Sequence, residues 1–154
     1  MHTIALVEDH ALVALGFQNL ITSQDDLTYV GGVVTVKALP ALGKVDLVVL
    51  DLRLGDGTRP SENIAAIHDV GAHALIYTSG ENRALVQEAA KAGALGLVRK
   101  SAEPQVLLDA IRQAANRVIR PERVTFRHAR NTNIEEFRRY FGCEVDFGAP
   151  DNMY

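Results

Sequence analysis

Cysteine is nearly absent from this chain, since Cys143 is the only one among its 154 residues. A single cysteine excludes a disulfide bond within the chain and favours a reducing compartment such as the cytoplasm. Long apolar runs are missing as well, because no stretch approaches the roughly 18 apolar residues of a membrane-spanning helix. The N-terminus shows no basic stretch followed by an apolar signal segment. We therefore expect a cytoplasmic protein with no contact to a membrane.

The chain also lacks a strong charge of either sign. Its 16 basic and 19 acidic residues give a net charge of -3, which offers no nonspecific attraction to nucleic acid or to anionic lipid. The hydrophobic share of 47% and the charged share of 23% are ordinary for a globular protein. A length of 154 residues suffices for one domain with a full core.

Through about residue 116, short apolar runs alternate with amphipathic segments. Runs of four or five apolar residues are typical of buried strands, whereas the spacing of Val13, Phe17 and Leu20 indicates a helix with one apolar stripe. The alternation predicts an α/β fold, a doubly wound five-stranded parallel sheet covered by helices on both sides. The predicted strands are 3–7, 28–33, 46–51, 74–78 and 95–98. The predicted helices are 10–22, 35–41, 61–70, 82–92 and 104–118, of which the second contains Pro40.

Chemically useful side chains stand at the carboxyl ends of four of these strands. Glu8 and Asp9 follow the first strand, and Asp51 ends the third. Thr78 ends the fourth strand, and Lys100 follows the fifth. Because parallel sheets bind ligands at the carboxyl ends of their strands, we expect these groups to converge on one rim.

The carboxylates of this rim suit a hard cation. Mg²⁺ takes oxygen ligands, usually one or two carboxylates together with waters and phosphate oxygens. Asp9 and Asp51 would ligate Mg²⁺ directly, Glu8 would act through a water, and the backbone carbonyl of Arg53 would add a further ligand. A bound cation also removes the repulsion between three crowded carboxylates.

The same rim suits a phosphoryl group. With the phosphoryl oxygens neutralised, the Asp51 carboxylate can attack phosphorus in line and form an aspartyl phosphate. Lys100 would balance the negative charge of the product, and the Thr78 hydroxyl would donate a hydrogen bond to a phosphate oxygen.

Residues 3–116 resemble the receiver domain of response regulators, in particular the NarL/FixJ type. The resemblance implies a flavodoxin-like fold and a role in two-component signal transduction and transcription regulation. It further implies that Asp51 accepts phosphate from a cognate histidine kinase, that Glu8 and Asp9 hold Mg²⁺, and that Thr78 and Lys100 contact the phosphate. The segments that carry it are Val7–Val13, Gly16–Phe17, Val48–Leu54, Tyr77–Ser79, Ala92–Lys100 and Ala110–Arg112.

Two positions bear on how such a domain would act. Leu97 stands where the family usually has an aromatic switch residue, so ring rotation cannot report phosphorylation. His10 fits the subfamily pattern, and we interpret it as a surface histidine at a helix start, without a catalytic role. The resemblance also implies a homodimer formed by the fourth predicted helix, the fifth strand and the fifth helix.

The composition changes near residue 117, and we divide the chain into a receiver domain, 1–118, and a C-terminal extension, 119–154. The extension predicts a strand near 124–126 and a helix over 134–141, and it is too short for a DNA-binding helix-turn-helix module with its linker. It weakly resembles a fragment of the ligand-binding domain of AraC-type regulators. That resemblance rests on Val124–His128, Phe137–Cys143 and Val145–Ala149.

Three alternative functions stay open at this point. In the first alternative, the domain is a protein-interaction module that acts without phosphorylation. An aspartate-nucleophile phosphatase would need a second acid two residues after Asp51, where this chain has Arg53. A flavin-binding protein of the same architecture would need small or hydroxyl residues in its first loop, where Glu8 and Asp9 would repel a phosphate.

Overall fold

The centre of the molecule is a parallel sheet of five strands in the order β2-β1-β3-β4-β5. The computed structural model describes residues 2–79 and 82–119. Most residues of β1, β3 and β4 are buried, as expected for the inner strands of a sheet that is covered on both faces. The strands are β1 His2–Val7, β2 Leu27–Val33, β3 Leu47–Leu50, β4 His73–Thr78 and β5 Leu97–Arg99.

Helices cover the two faces of the sheet and bury two separate apolar clusters. One cluster joins the sheet to a short 3-10 helix and to α2 and α3, through side chains such as Leu39, Ile64 and Val86. The other joins it to α1 and α4, through side chains such as Phe17 and Ile111. The helices are α1 Ala11–Thr22, the 3-10 helix Val36–Leu42, α2 Pro60–Asp69, α3 Arg83–Ala92 and α4 Pro104–Ile119.

The predicted fold class, a flavodoxin-like doubly wound parallel sheet, is confirmed. The fifth strand begins at Leu97, two residues later than predicted, although the Leu95 N–H already donates to the carbonyl of Ala74 on β4. The predicted second helix, 35–41, is a 3-10 helix over Val36–Leu42, and Pro40 lies inside it. Among the described residues, no helix combines the length and apolar character needed to cross a membrane. The predicted strand 124–126 and helix 134–141 lie outside the described residues.

A carboxylate on α3 fixes the first turn of α2. Glu88 accepts hydrogen bonds from the backbone N–H of Ser61 at 3.0 Å and from its hydroxyl at 2.6 Å, and the Arg59 guanidinium pairs with it. The first N–H groups of a helix lack partners within the helix, so an acceptor from a neighbouring helix takes the place of a cap. Glu88 thereby ties α3 to the segment that follows β3.

We expect Glu88→Ala to cost about 1 kcal/mol of unfolding free energy at neutral pH, the usual cost of losing a helix cap. The hydrogen bonds from Ser61 and Arg59 lower the pKa of Glu88. A lowered pKa means that the contribution exists above the ordinary glutamate value of about 4.3 and disappears as the pH falls below it. Urea denaturation of the wild type and of Glu88→Ala should therefore show a difference in unfolding free energy that is smaller in acid than at neutral pH. An equal difference in acid and at neutral pH would contradict this role.

Candidate functional site

Backbone pairing continues past the ends of the strands and places the rim residues. The Glu8 N–H donates to the carbonyl of Val33, and the Asp51 N–H donates to the carbonyl of Val7. At the other side, the Lys100 N–H donates to the carbonyl of Thr78 at 2.8 Å. These bonds hold the first residues after β1, β3 and β5 at one edge of the sheet, so their side chains extend into a common cleft.

A buried ion pair forms the floor of this cleft. The Lys100 Nζ lies 2.6 Å from Glu8 Oε1 and 3.4 Å from Asp51 Oδ2. The Glu8 side chain is 0% exposed and the Lys100 side chain is 13% exposed. A carboxylate that is fully removed from water requires a close opposite charge, and Lys100 supplies it.

Asp51 lies at the centre of the cleft with one oxygen near Lys100. Its carboxylate also accepts a 3.4 Å hydrogen bond from the Arg53 N–H. Burial and the nearby charge of Glu8 raise the pKa of Asp51, while Lys100 and the Arg53 N–H act in the opposite direction. The net direction shows that the negative charge on Asp51 is poorly compensated by the protein alone, so an added cation or the loss of this charge would be favourable.

Asp9 lies at the outer edge of the cleft and contacts the loop after β3. The Gly55 N–H donates to Asp9 Oδ2 at 2.7 Å. A Cβ atom on residue 55 would come within 2.8 Å of the same oxygen, so a larger residue there would force the Asp9 carboxylate to shift. The exposed Arg53, whose carbonyl was predicted as a ligand, belongs to the same loop; its ligand role stays a prediction.

His10 contacts the acidic residues, although its side chain is 69% exposed. Its Nδ1 lies 2.8 Å from Glu8 Oε2 and 3.3 Å from Asp9 Oδ1, and its backbone N–H also donates to Glu8 Oε2. The hydrogen bond to Glu8 raises the pKa of the imidazole, with the charges of Glu8 and Asp9 adding to it. The sequence interpretation of His10 as an exposed residue was sound, but these contacts with the cleft were missed.

Two further residues of the rim belong to β4. Thr78, predicted to bind phosphate, is buried at the end of the strand, and its carbonyl accepts a hydrogen bond from the Lys100 N–H. Tyr77, for which the sequence predicted no role in the site, places its ring 5.8 Å from the Lys100 Nζ. An aromatic face near an ammonium group attracts the cation and helps to hold it in the cleft.

The structure thus brings most of the predicted site residues together, and it adds one. Glu8, Asp9, His10 and Asp51 each offer a ligand atom, and these atoms lie within 4.8 Å of one another. Such a set can hold a divalent cation, and Lys100 lies beside it. A cation, an ammonium group and a buried carboxylate within a few ångströms can stabilise a dianionic group attached to Asp51.

The family assignment agrees with this arrangement. A family model described as response regulator receiver domain matches residues 4–112. The chain belongs to this family. The matched range contains β2 to β5 in full, all but the first two residues of β1, and every described residue of the cleft.

Curated relatives are transcriptional regulators. The receiver chain is 29% identical over 151 residues to the uncharacterized transcriptional regulatory protein YxjL of Bacillus subtilis, covering 90% of this chain and 69% of that protein. It is 30% identical over 119 residues to the nitrate/nitrite response regulator protein NarL of Escherichia coli, covering 73% of this chain and 54% of NarL. The chain therefore spans about half to two thirds of these relatives.

Solved structures show the same fold. A LuxR-family two-component response regulator from Aurantimonas is 29% identical, with a TM-score of 0.66 over 80% of this chain and 99% of that one. The receiver domain of the putative response regulator NarL from Mycobacterium tuberculosis is 21% identical, with a TM-score of 0.67 over 75% of this chain and 96% of that one, and supports the fold alone. The chain is thus a receiver domain of the two-component response regulators.

Proposed function

We propose that this receiver domain accepts a phosphoryl group on Asp51 from a histidine kinase in the presence of Mg²⁺, and that this modification switches a surface for partners. The observation that carries the proposal is the position of the buried Asp51 carboxylate, which lies beside the ammonium group of Lys100 and among further carboxylates. Crowded carboxylates repel one another, and a bound cation would remove that repulsion.

Each residue has a task in the transfer. An oxygen of Asp51 forms a bond to phosphorus while the bond from phosphorus to the histidine nitrogen breaks, and that nitrogen keeps the electron pair. The Lys100 ammonium, 3.4 Å from Asp51 Oδ2, balances the charge that arrives there. The Thr78 hydroxyl donates a hydrogen bond to a phosphate oxygen. Asp9, Asp51 and the backbone carbonyl of Arg53 would hold Mg²⁺, with Glu8 acting through a water. When bound, this ion would neutralise the phosphoryl oxygens.

The partners we propose are a cognate histidine kinase and a second copy of the chain. Phosphorylation would favour a homodimer through α3, β5 and α4, and both partners would meet the protein in the cytoplasm. Leu97, with 4% of its surface exposed, belongs to the same buried apolar cluster as Val86 and Ala89 of α3. A side chain so packed cannot rotate between solvent and core, so the switch would rely on movement of the segment after Asp51 and of α3.

Intact mass measurement tests the proposal directly. The protein is incubated with a small acyl phosphate and Mg²⁺, and we expect the mass of one phosphoryl group to be added. Asp51→Asn should abolish the addition, and the matched variant Asp69→Asn, which changes an exposed aspartate at the end of α2, should not. Failure of the wild-type protein to gain mass, or a gain that survives in Asp51→Asn, would refute the proposal.

A second candidate function is a receiver that binds partners without phosphorylation. The buried Leu97 favours it, because the usual aromatic reporter is missing. Sedimentation with and without a beryllofluoride phosphate mimic separates the two. A switch changes its association state on adding the mimic, whereas a constitutive module has one association state in both conditions.

A further inference from the structure

Tyr77, at the end of β4, contacts both the cleft and a helix. Its ring centroid lies 5.8 Å from the Lys100 Nζ and 6.3 Å from the ring centroid of Phe17 on α1. The Phe17 ring in turn lies 5.9 Å from the ring of Tyr29 on the edge strand β2. The three aromatic rings therefore form a continuous line of contacts from the ammonium group in the cleft to the edge of the sheet.

The ring of Tyr77 lies on the opposite face of the sheet from Leu97, the position at which the family usually has an aromatic residue. Leu97 belongs to the apolar cluster beneath α2 and α3, whereas Tyr77 packs against the cluster beneath α1 and α4. Successive side chains of a strand alternate between its two faces, so Tyr77 and the neighbouring Thr78 point toward different helices. This chain thus has an aromatic ring beside the cleft, but the ring faces α1 and α4.

The Tyr77 ring has room to move, which the side chain of Leu97 does not have. Tyr77 is half-buried, and together with Lys100 it lines a groove of about 540 Å³ between α1 and the start of α4. Leu97 is 4% exposed and lies within the core. Because protein interiors are close-packed, a ring that borders open space can change its tilt at a lower cost than an enclosed side chain.

The ammonium group of Lys100 connects this ring to the charge on Asp51. Its Nζ lies 2.6 Å from Glu8 Oε1 and 3.4 Å from Asp51 Oδ2, and the Tyr77 ring is a third and weaker attraction. Two opposite charges at hydrogen-bond distance attract each other more strongly than a cation and an aromatic face do. A dianionic group attached to Asp51 therefore competes with the ring for the ammonium group.

We propose that Tyr77 is the residue through which the phosphorylation state of Asp51 is passed to α1. When Asp51 is phosphorylated, the ammonium group of Lys100 moves toward the phosphoryl oxygens and away from the ring. The Tyr77 ring then tilts and changes its packing against Phe17. The inference rests on the proposed function and deepens it, because it adds a face formed by α1 and α4 to the surfaces that respond to the phosphoryl group.

Carbon spectra of protein labelled with ring-¹³C tyrosine test the first step. The chain has four tyrosines, and the Tyr77 signal is the one that disappears in Tyr77→Phe. Lys100→Met gives the position of this signal without an ammonium group, and a position identical to that of the wild type would show that the ring does not sense Lys100. On addition of beryllofluoride and Mg²⁺ to the wild type, we expect the Tyr77 signal to move toward the Lys100→Met position. Bound beryllofluoride, seen by its own fluorine resonances, with an unmoved Tyr77 signal would overturn the proposal.

The signal of Tyr29 tests the second step. This ring lies beyond Phe17, and β1 and β3 separate its strand from β4. We expect beryllofluoride to shift the Tyr29 signal in the wild type and in Tyr77→Phe, which keeps an aromatic face for the ammonium group. In Tyr77→Leu this shift should be lost although beryllofluoride still binds. A Tyr29 signal that does not respond in the wild type, or that still responds in Tyr77→Leu, would contradict the proposed route.

The affinity for beryllofluoride separates this role from a merely structural one. We expect Tyr77→Leu to bind beryllofluoride more tightly by roughly 2-fold to 5-fold, the worth of a partly exposed cation–π contact that no longer competes. Tyr77→Phe and the matched control Tyr29→Leu should stay near the wild-type affinity. Calorimetry in Mg²⁺ measures these values. Weaker binding by Tyr77→Leu would mean that the ring only supports the cleft, and the proposal would be wrong.

The outcome is separable from that of the proposed function. If the wild type binds no beryllofluoride and gains no phosphoryl mass, the proposed function fails and the role of Tyr77 fails with it. If phosphorylation proceeds while the Tyr77 signal does not respond to beryllofluoride, only the role of Tyr77 fails.

Discussion

Replacing Lys100 with methionine should destabilise the protein by about 3 kcal/mol in metal-free buffer at neutral pH, the usual cost of removing one partner of a buried ion pair. Methionine keeps the length of the side chain and its packing near Tyr77, so the loss reports the charge. Among the described residues, Lys100 is the cation paired with Glu8 Oε1, and the Glu8 side chain is 0% exposed. The nearby Asp51 loses the same counter-charge. Urea denaturation in EDTA measures the difference.

Addition of Mg²⁺ should recover part of this loss. A cation that binds only the folded state stabilises it by about 2.7 kcal/mol at a hundredfold excess over its dissociation constant. Because the uncompensated carboxylates attract the cation more strongly, the Mg²⁺-dependent gain should be larger for Lys100→Met than for the wild type. Lys44→Met is the matched control, since Lys44 is exposed in the loop before β3, and its stability should stay within about 0.5 kcal/mol of wild type. Equal Mg²⁺ gains in all three proteins would show that Lys100 and the cation do not share these carboxylates.

Most of the fold could be predicted because its signals are local and repeated. Apolar runs such as Leu47–Leu50 are fully buried and cannot be placed in solvent, and the stripe of α1 places Phe17 and Ile21 in the core. The predicted and observed bounds agree least for the least regular elements. β5 has only three residues, and its start at Leu97 depends on tertiary pairing with β4 that a short apolar run does not specify.

The rim of the sheet could be predicted because strand ends in a parallel sheet share one edge. Glu8, Asp51 and Lys100 needed only to follow their strands directly, and backbone pairing then brought them together. The contacts of His10 and of Gly55 could not be predicted in this way. The first depends on a side-chain rotation at a helix start, and the second on the path of the loop after β3, for which the sequence offers no periodic signal. The one available signal was that His10 directly follows two acids.

The remaining large effect concerns Asp51 itself. We expect Asp51→Asn to be more stable than the wild type in EDTA at neutral pH, by on the order of 1 kcal/mol, a common size for a stabilising substitution. Burial and the charge of Glu8 disfavour the ionised carboxylate, which is why the pKa of Asp51 is raised. Asparagine removes the charge but keeps an oxygen that can accept the hydrogen bond from the Arg53 N–H. Thermal unfolding across a pH series measures the effect, with Asp69→Asn as the exposed control.

The direction of the pH dependence follows from the raised pKa. The folded state holds the proton of Asp51 more tightly than the unfolded state, whose value is near 3.9, so this residue contributes fully to stability only below that value. Its contribution is lost as the pH rises through the raised folded value. The advantage of Asp51→Asn should therefore be absent in acid, appear as the pH rises and level off near neutrality. Mg²⁺ should reverse the order at neutral pH, because it binds the wild-type carboxylate more tightly than the amide. A substituted protein that is less stable than wild type in EDTA at neutral pH would mean that Lys100 compensates Asp51 fully, and the cleft would then have no electrostatic need for a cation.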